Sequence, residues 1–417
     1  MSKKKIKIAF FIGTFPSITE SWFVEQLTSL LDMGLSIDVF AFEGFGEYHI
    51  SELMKKYRLL ERTTYMSFPE NKIKRFFRAI WYFLKVLILK PSALSKIFKY
   101  QKYTRGGFPL KYLFWIAPLV GKIEKYDVVH CHFGMIANRF LIIREILGLK
   151  QKFLTTFYGQ DSSKYIKQKG EHVYDELKKT SSYFLLMTEE MKERFVAMGF
   201  PPEKLLVHYT ALNIDNYEFN YKPLLAGEKF KLVTVGSFLE KKGLDDSIRA
   251  IGEVVSRGYK NIELNIVGGR FPDYEKMLRD LVDELKLNDR VVFRGLLPHS
   301  QTIAFFKEMH LMIQLSRRAQ NGDTDDLPFV LLEGEICGLP VITTRHVGIP
   351  DGVKVGESGF LVEERNWKEA AEKIISLLDN PEKLKDLSFG ANRFMKEKFD
   401  IKEYNQRLAG LYDELAE

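Results

Sequence analysis

Asp325-Asp326-Leu327-Pro328-Phe329-Val330-Leu331-Leu332-Glu333-Gly334-Glu335-Ile336-Cys337-Gly338-Leu339-Pro340-Val341-Ile342-Thr343 decides the reading of this chain. Two acids precede a proline, a short apolar helix carries an acid inside it, and Gly-Leu-Pro leads into a buried strand. Pro328 suits a first helical position, where its missing N–H removes no hydrogen bond. The amides that follow form a positive helix N-terminus, a site for phosphate oxygens. Asp325 falls just outside that terminus and Glu333 within the helix, so the two acids can reach groups on opposite sides of bound phosphates. A sugar joined to a nucleotide through a diphosphate carries such groups, its sugar and ribose hydroxyls. The plainer alternative is that Asp325 or Asp326 caps the helix and Glu333 is a solvated acid.

Short apolar strands alternate with helices on both sides of this stretch. In the second half, 231–235, Ile262–Val267, Val291–Phe293, Leu311–Leu315 and Val341–Thr343 read as strands. Asp245–Arg257, Tyr274–Lys286 and a segment near Ser300–Glu308 read as helices. Met277, Leu278, Leu281, Val282 and Leu285 share one helical face. In the first half the strands are Ile6–Ile12, Ser36–Phe42, Val128–His132, Phe153–Thr156 and Tyr183–Met187, with a helix over Ser21–Met33. Such alternation implies parallel sheets covered on both faces. It occurs twice, with a break near Asn213–Glu228, and 417 residues is long for one core. The expected fold is therefore α/β, two Rossmann-like domains facing across a cleft, divided as 1–212 and 213–395.

Apolar content of 46 % argues for a folded chain throughout. Cys131 and Cys337 offer neither a disulfide framework nor metal-ligand spacing, which suits a reducing compartment. The apolar run after Lys3 holds Gly13 and meets Pro16, and reads as a buried strand rather than a signal peptide. Charge is uneven: residues 51–125 hold 17 Lys and Arg against 4 Asp and Glu. That excess points to an anionic partner for the first domain.

The opening stretch resembles the signature of glycosyltransferase family 4, retaining enzymes of the GT-B fold. Their pattern sets two glutamates around seven residues, with Cys-Gly-x-Pro-Val after the second. Here Glu333 matches the second; Asp325 replaces the first and Asp326 its glycine. Asn321-Gly322-Asp323 before the motif is similar to the branch that builds exopolysaccharides such as colanic acid. Further patches carry the resemblance. Gly13-Thr14-Phe15-Pro16-Ser17, followed by Thr19-Glu20, resembles that branch's glycine loop. His130-Cys131-His132-Phe133-Gly134 resembles its His-x-His-Phe-Gly turn, in which His132 is either a cleft residue or a structural hydrogen-bonding histidine. Tyr158 stands where most relatives carry a histidine, and Asp161 either touches substrate or caps a helix. Gly236-Ser237 and Lys242-Gly243 match Gly-Arg and Lys-Gly, with Ser237 replacing an arginine that Lys241 or Arg317 would have to make good. Gly268-Gly269 resembles a turn that shapes the nucleotide pocket. Asn213 takes the place of a hinge glycine, asparagine being tolerant of left-handed backbone.

The resemblance implies a GT-B fold whose C-terminal helix, 396–417, returns to the first domain. It implies a retaining hexosyltransferase acting on a nucleotide diphosphate sugar, with no metal and no cofactor. Lys242, Glu333, Asp325, Tyr158 and His132 are the implied catalytic residues. Gly13, Gly236, Ser237, Gly268, Asp326, Leu327, Pro328, Phe329, Val330 and Leu331 join Lys242, Asp325 and Glu333 in donor binding, with Glu333 on the ribose, Asp325 on the sugar and the Pro328–Leu331 amides on the phosphates.

Residues 71–105 form a basic amphipathic segment. On a helix Lys74, Arg75, Arg78 and Lys85 share an arc opposite Phe76, Phe77, Ile80, Leu84, Leu87 and Ile88. Lys85 interrupts the apolar run, so the segment does not span a bilayer. It suits an anionic membrane surface, the alternative being a core helix with a solvated basic face. Beyond Pro91, Lys96, Lys99, Lys102 and Arg105 continue the charge. No nucleic-acid module accompanies it. The expected acceptor is a saccharide, linked to a polyprenol diphosphate, and the expected location is cytoplasmic, peripheral on the inner face of the cell membrane. Two other classes remain open from sequence: a sugar-nucleotide epimerase, and a non-catalytic binding protein, favoured by Ser237 and Tyr158.

Overall fold

The computed structural model describes residues 6–17, 21–44, 50–103 and 110–417, the side chains of 21 and 101–103 excepted. Thr19, Glu20, Arg105 and the side chain of Lys102 lie outside the described residues. The first sheet comprises β1 (Lys7–Thr14), β2 (Ser36–Glu43), β3 (Thr63–Tyr65), β4 (Val128–His132), β5 (Lys152–Thr156), β6 (Tyr183–Leu186) and β7 (Leu205–Val207). All pairings are parallel, in the order β3-β2-β1-β4-β5-β6-β7. The second comprises β8 (Phe230–Val235), β9 (Ile262–Val267), β10 (Val291–Gly295), β11 (Leu311–Gln314), β12 (Val341–Thr344) and β13 (Gly359–Val362). It is also parallel, in the order β10-β9-β8-β11-β12-β13.

In each sheet the winding reverses beside the domain's first strand, between β1 and β4 and between β8 and β11. A crevice opens at the carboxyl ends there. The central strands read as near-continuous apolar runs because helices cover both faces. Ala9, Phe10, Phe11 and Ile12 of β1 are all fully buried.

The two domains are joined by two crossing segments that pair with each other. The Leu212 amide donates to the Phe399 carbonyl (2.9 Å), and the Ile401 amide donates to the Leu212 carbonyl (2.8 Å). The expected division at 395–396 falls inside the helix Pro381–Lys398, which packs on the second domain through Leu384 and Leu387. Asp400 then caps the final helix, Ile401–Ala416. That helix lies on the first domain: Leu408, Tyr412 and Leu415 join Ile8 and Phe10 in one core, and the Tyr412 hydroxyl sits 2.7 Å from His130 Nδ1. Asn213 has φ −76°, so its tolerance of left-handed backbone is not called on at the hinge.

The helix Lys72–Leu89 starts where the Asn71 side chain accepts from the Ile73 and Lys74 amides. Only a narrow stripe, Ala79, Tyr82 and Val86, is buried. Arg75 and Lys85 turn toward the protein, Arg75 Nε donating to the Pro69 carbonyl (2.8 Å) and Lys85 Nζ to that of Ala117 (2.7 Å). The apolar arc therefore faces outward: Ile73, Phe76, Phe77, Ile80, Trp81, Leu84, Leu87 and Ile88 are all exposed, Ile88 to 76 %. This excludes the core-helix alternative, in which that arc would be inside. Lys96 is tied within the domain, its Nζ donating to the Glu145 carbonyl (2.7 Å).

Candidate active site

Between the sheets' carboxyl ends lies a cavity of about 490 Å³, lined from both domains. The first contributes Trp22, Phe133, Tyr158, Gly159 and Gln160; the second contributes Gly236, Ser237, Lys241, Lys242, His299, the run Thr324–Val330 and Glu333. Of the residues singled out from sequence, Tyr158, Gly236, Ser237, Lys242, Asp325, Asp326, Leu327, Pro328, Phe329, Val330 and Glu333 line it. Gly13, His132, Gly268 and Leu331 do not.

The loop after β8 is shaped by two close approaches. A Cβ on Gly236 would press on the Lys242 side chain, with the nearest carbons at 3.1 and 3.2 Å. Gly268 has φ +151°, and a Cβ there would overlap the Gly236 carbonyl oxygen. Gly268 thus acts by letting two strand ends meet, away from the cavity lining. Lys242 Nζ is 2.5 Å from Asp325 Oδ2, and Lys241 Nζ is 3.0 Å from Asp325 Oδ1 and 3.3 Å from Asp323 Oδ1. Burial pushes the Asp325 carboxyl up, but the Lys242 and Lys241 ammoniums outweigh it and hold it at about 2. Two cations and a fixed carboxylate thus stand at the mouth of the helix Phe329–Ile336. Each ammonium has three donors, so one can hold Asp325 and still reach a phosphate oxygen. Arg317 cannot replace the arginine missing at Ser237: it is buried, with Asp246 Oδ2 at 2.5 Å and Asp245 Oδ2 at 2.9 Å.

The helix begins one residue later than the sequence suggests, with Pro328 as its extended cap. The Leu331 amide donates to the Pro328 carbonyl (2.9 Å) and its side chain is fully buried, so Leu331 packs the core and offers no amide to phosphate. Asp326 also departs from its expected role. Its Oδ1 pairs with Arg194 (3.2 Å) and its Oδ2 accepts from Ser162 Oγ (3.2 Å), both in the first domain. It ties the domains together across the cleft.

Burial raises the Asp326 carboxyl to about 6, with the Arg194 guanidinium pulling the other way. The unfolded carboxyl titrates at about 3.9, so the native state loses stability as pH rises from about 4 to 6 and the ion is formed. Arg194→Ala is expected to cost about 1–3 kcal/mol at pH 8, where Asp326 is left ionised and buried, and clearly less at pH 5. Urea unfolding at the two pH values checks this; an equal cost at both would contradict the pairing.

Gly13 has no left-handed backbone, and a Cβ there would make ordinary contact with Ile136 Cδ1 at 3.5 Å. His132 lies beneath the cavity and is fully buried, its Nδ1 2.8 Å from the Tyr158 hydroxyl. Burial drives its imidazole down to about 3, which keeps it neutral. It positions Tyr158 and does not face the cavity. Asp161 is a cap, accepting from the Gly134 amide (2.6 Å) and the Tyr158 amide (2.8 Å). His130 bonds Tyr412 and Thr156. Among the described residues no cluster of His, Cys, Asp or Glu suits a metal ion.

Three residues at the cleft floor stand outside every motif read from sequence. Glu333 Oε1 is 2.5 Å from His299 Nε2 and 3.1 Å from the Tyr217 hydroxyl, which is also 2.8 Å from Glu25 Oε1. Tyr217 and His299 sit at loop and helix-start positions and carry no signal. Glu25 has a faint one, as an acid inside the apolar run Trp22–Leu31.

Paired parallel sheets, a cleft at both switch points, and lysines beside a short helix N-terminus are the architecture of the GT-B class. Residues 216–393, nearly the whole second domain, match the family model of glycosyl transferases, group 1. The second domain is a group 1 glycosyltransferase domain, and the chain is a glycosyltransferase of the GT-B fold. Similarity extends over both domains. The chain is 26 % identical over 414 residues to a Salmonella typhimurium protein named as the putative colanic acid biosynthesis glycosyltransferase WcaL, covering 97 % of this chain and 99 % of that one. It is 27 % identical over 420 residues to the amylovoran biosynthesis glycosyltransferase AmsK of Erwinia amylovora, covering 99 % and 98 %. The fold superposes on Anabaena HepE, solved in complex with UDP-glucose, with a TM-score of 0.70 at 16 % identity, covering 98 % of this chain and all of the other.

Proposed function

We propose that this enzyme transfers a hexose from a nucleotide diphosphate sugar to a lipid-linked saccharide, with retention of anomeric configuration, during assembly of an exopolysaccharide or cell-surface polysaccharide. The observation that carries the reading is the Lys241–Lys242–Asp325 cluster at the head of the helix Phe329–Ile336, inside a cavity walled by both domains. Cleavage of the glycosidic bond builds positive charge on the sugar and negative charge on the departing diphosphate. Lys242 and Lys241 stabilise the second, and Asp325, kept ionised by them, faces the first. Glu333 holds the ribose. Relatives named for colanic acid and amylovoran biosynthesis support the pathway class. In this reading the diphosphate meets Lys241 and Lys242 rather than a metal ion.

The lipid link rests on the outward apolar face of the helix Lys72–Leu89, with Lys74 and Arg78 exposed along its edge. Among the described residues no helix is long and apolar enough to cross a membrane. A helix lying in the surface of an anionic bilayer buries such a face and places its basic edge among the headgroups. The acceptor would then reach the cleft from the inner face of the membrane.

Thermal unfolding with UDP, GDP, ADP and dTDP and their sugars tests the donor half. A ligand at 100 times its Kd adds about 2.7 kcal/mol and raises Tm visibly. Stabilisation by one base is expected; no shift with any of them would remove the nucleotide-sugar reading.

A further inference from the structure

Where the domains join, one hydroxyl stands between two acids of opposite domains. Glu25, on the first-domain helix Ser21–Asp32, is buried; its Oε2 accepts from the Asn213 amide (3.1 Å), and its Oε1 is 2.8 Å from the Tyr217 hydroxyl. The same hydroxyl is 3.1 Å from Glu333 Oε1, which also lies 2.5 Å from His299 Nε2. A phenol has one proton to donate, and an ionised carboxylate only accepts. Two ionised carboxylates therefore cannot both be satisfied by Tyr217. Satisfying both requires one to carry a proton and donate it to the phenol oxygen.

The neighbours decide which one. His299 Nε2 meets a carboxylate oxygen and, by this network, is the donor, so Glu333 Oε1 is already an acceptor. Among the described residues Glu25 Oε1 has Tyr217 alone. We propose that Glu25 is a positioning residue: it holds the proton of a Glu25–Tyr217–Glu333 chain, and through it the first domain orients the acid that takes the donor ribose. The proposal rests on the reading of Glu333 as that acid. Tyr217 and His299 both engage Oε1, leaving Oε2, to which no described residue bonds, for a ribose hydroxyl.

Burial raises the Glu25 carboxyl to about 7; the Asn213 amide opposes this and Glu333 adds to it. Its proton is therefore held below about pH 7 and lost above it. The titratable groups facing it are Tyr217 from the crossing segment, and Glu333 and His299 from the second domain. The helix Ile401–Ala416 brings the neutral Asn405 to the Gln26 carbonyl (3.5 Å). Strand β2 keeps Asp38 on Tyr126, and the helix Glu52–Lys56 leaves Glu52, Lys55 and Lys56 exposed. With Glu25 ionised, Tyr217 is drawn from Glu333 and like charges face each other across it.

Calorimetric titration with the nucleoside diphosphate selected by the thermal screen, at pH 6 and pH 8.5, tests this on the full chain. Wild type is expected to bind about tenfold more weakly at pH 8.5 than at pH 6, after correction for titration of the nucleotide itself. Glu25→Gln, whose amide can donate to Tyr217 at any pH, should keep the pH 6 affinity and lose most of the difference, the remainder belonging to His299, whose imidazole the Glu333 hydrogen bond raises; Glu25→Ala should bind weakly at both. A Glu25→Gln variant that keeps the wild-type pH difference would overturn the proposal. Infrared spectra separate this from the ribose reading. A protonated-carboxyl band at pH 6 that disappears in Glu25→Gln places the proton whatever binds at Glu333, and its absence in wild type also overturns the proposal. Undiminished binding by Glu333→Ala would defeat the ribose reading instead.

Discussion

Lys242→Ala is expected to lower kcat by about 10²- to 10³-fold while leaving the fold intact. Removing one fixed charge from a site where the leaving group gathers charge has effects of that order. Two features of this chain push it to the upper end. Ser237 stands where an arginine is implied by resemblance, and Arg317 is committed to Asp245 and Asp246, so Lys241 alone would remain. Lys241 is already shared between Asp323 and Asp325. Lys242→Arg should recover part of the rate, since charge is kept but geometry is not. Single-turnover kinetics and circular dichroism check the claim. Near-normal turnover in folded Lys242→Ala would mean the diphosphate is held elsewhere.

Replacing both Phe77 and Trp81 with aspartate should abolish sedimentation with anionic vesicles, lowering the partition constant by about 10²-fold or more. Each side chain contributes roughly 1.5–3 kcal/mol when its apolar surface leaves water. Both are largely exposed, so neither substitution removes core packing; the helix is anchored by Ala79, Tyr82 and Val86. Activity on a short soluble acceptor should persist while activity on a membrane-embedded one falls. Equal sedimentation of wild type and double variant would exclude this face as the contact.

The fold is legible in the sequence because its signals are local and repeated. Val128–His132 and Ile262–Val267 read as strands from the sequence, and their expected ends coincide with the observed ones. The strands β3, β7 and β13 carry no such signal. Each is a short sheet edge, paired on one side only and defined by its neighbour's hydrogen bonds. Within the site, Pro328 and the Gly-Leu-Pro punctuation expose the helix, but which way Asp326 points depends on Arg194 and Ser162, far away in sequence. Glu25, Tyr217 and His299 are joined only by tertiary structure. For the helix Lys72–Leu89, sequence identifies two faces without saying which one the protein covers. The structure assigns the inside to a three-residue stripe, because the Arg75 and Lys85 stems fold inward to backbone carbonyls.

The final helix carries a consequence for the order in which the protein is made. Leu408, Tyr412 and Leu415 complete the core around Ile8 and Phe10, and the Tyr412 hydroxyl meets His130. A ribosome therefore delivers the last piece of the first domain only after the whole second domain has emerged. Domains released in sequence usually fold in sequence. Here the second domain can close its own sheet while the first still waits, one apolar flank open, for a segment about two hundred residues downstream of its last strand, β7 (Leu205–Val207). Chains truncated before Ile401 should thus hold a finished second domain beside an unfinished partner, the form most in need of a chaperone.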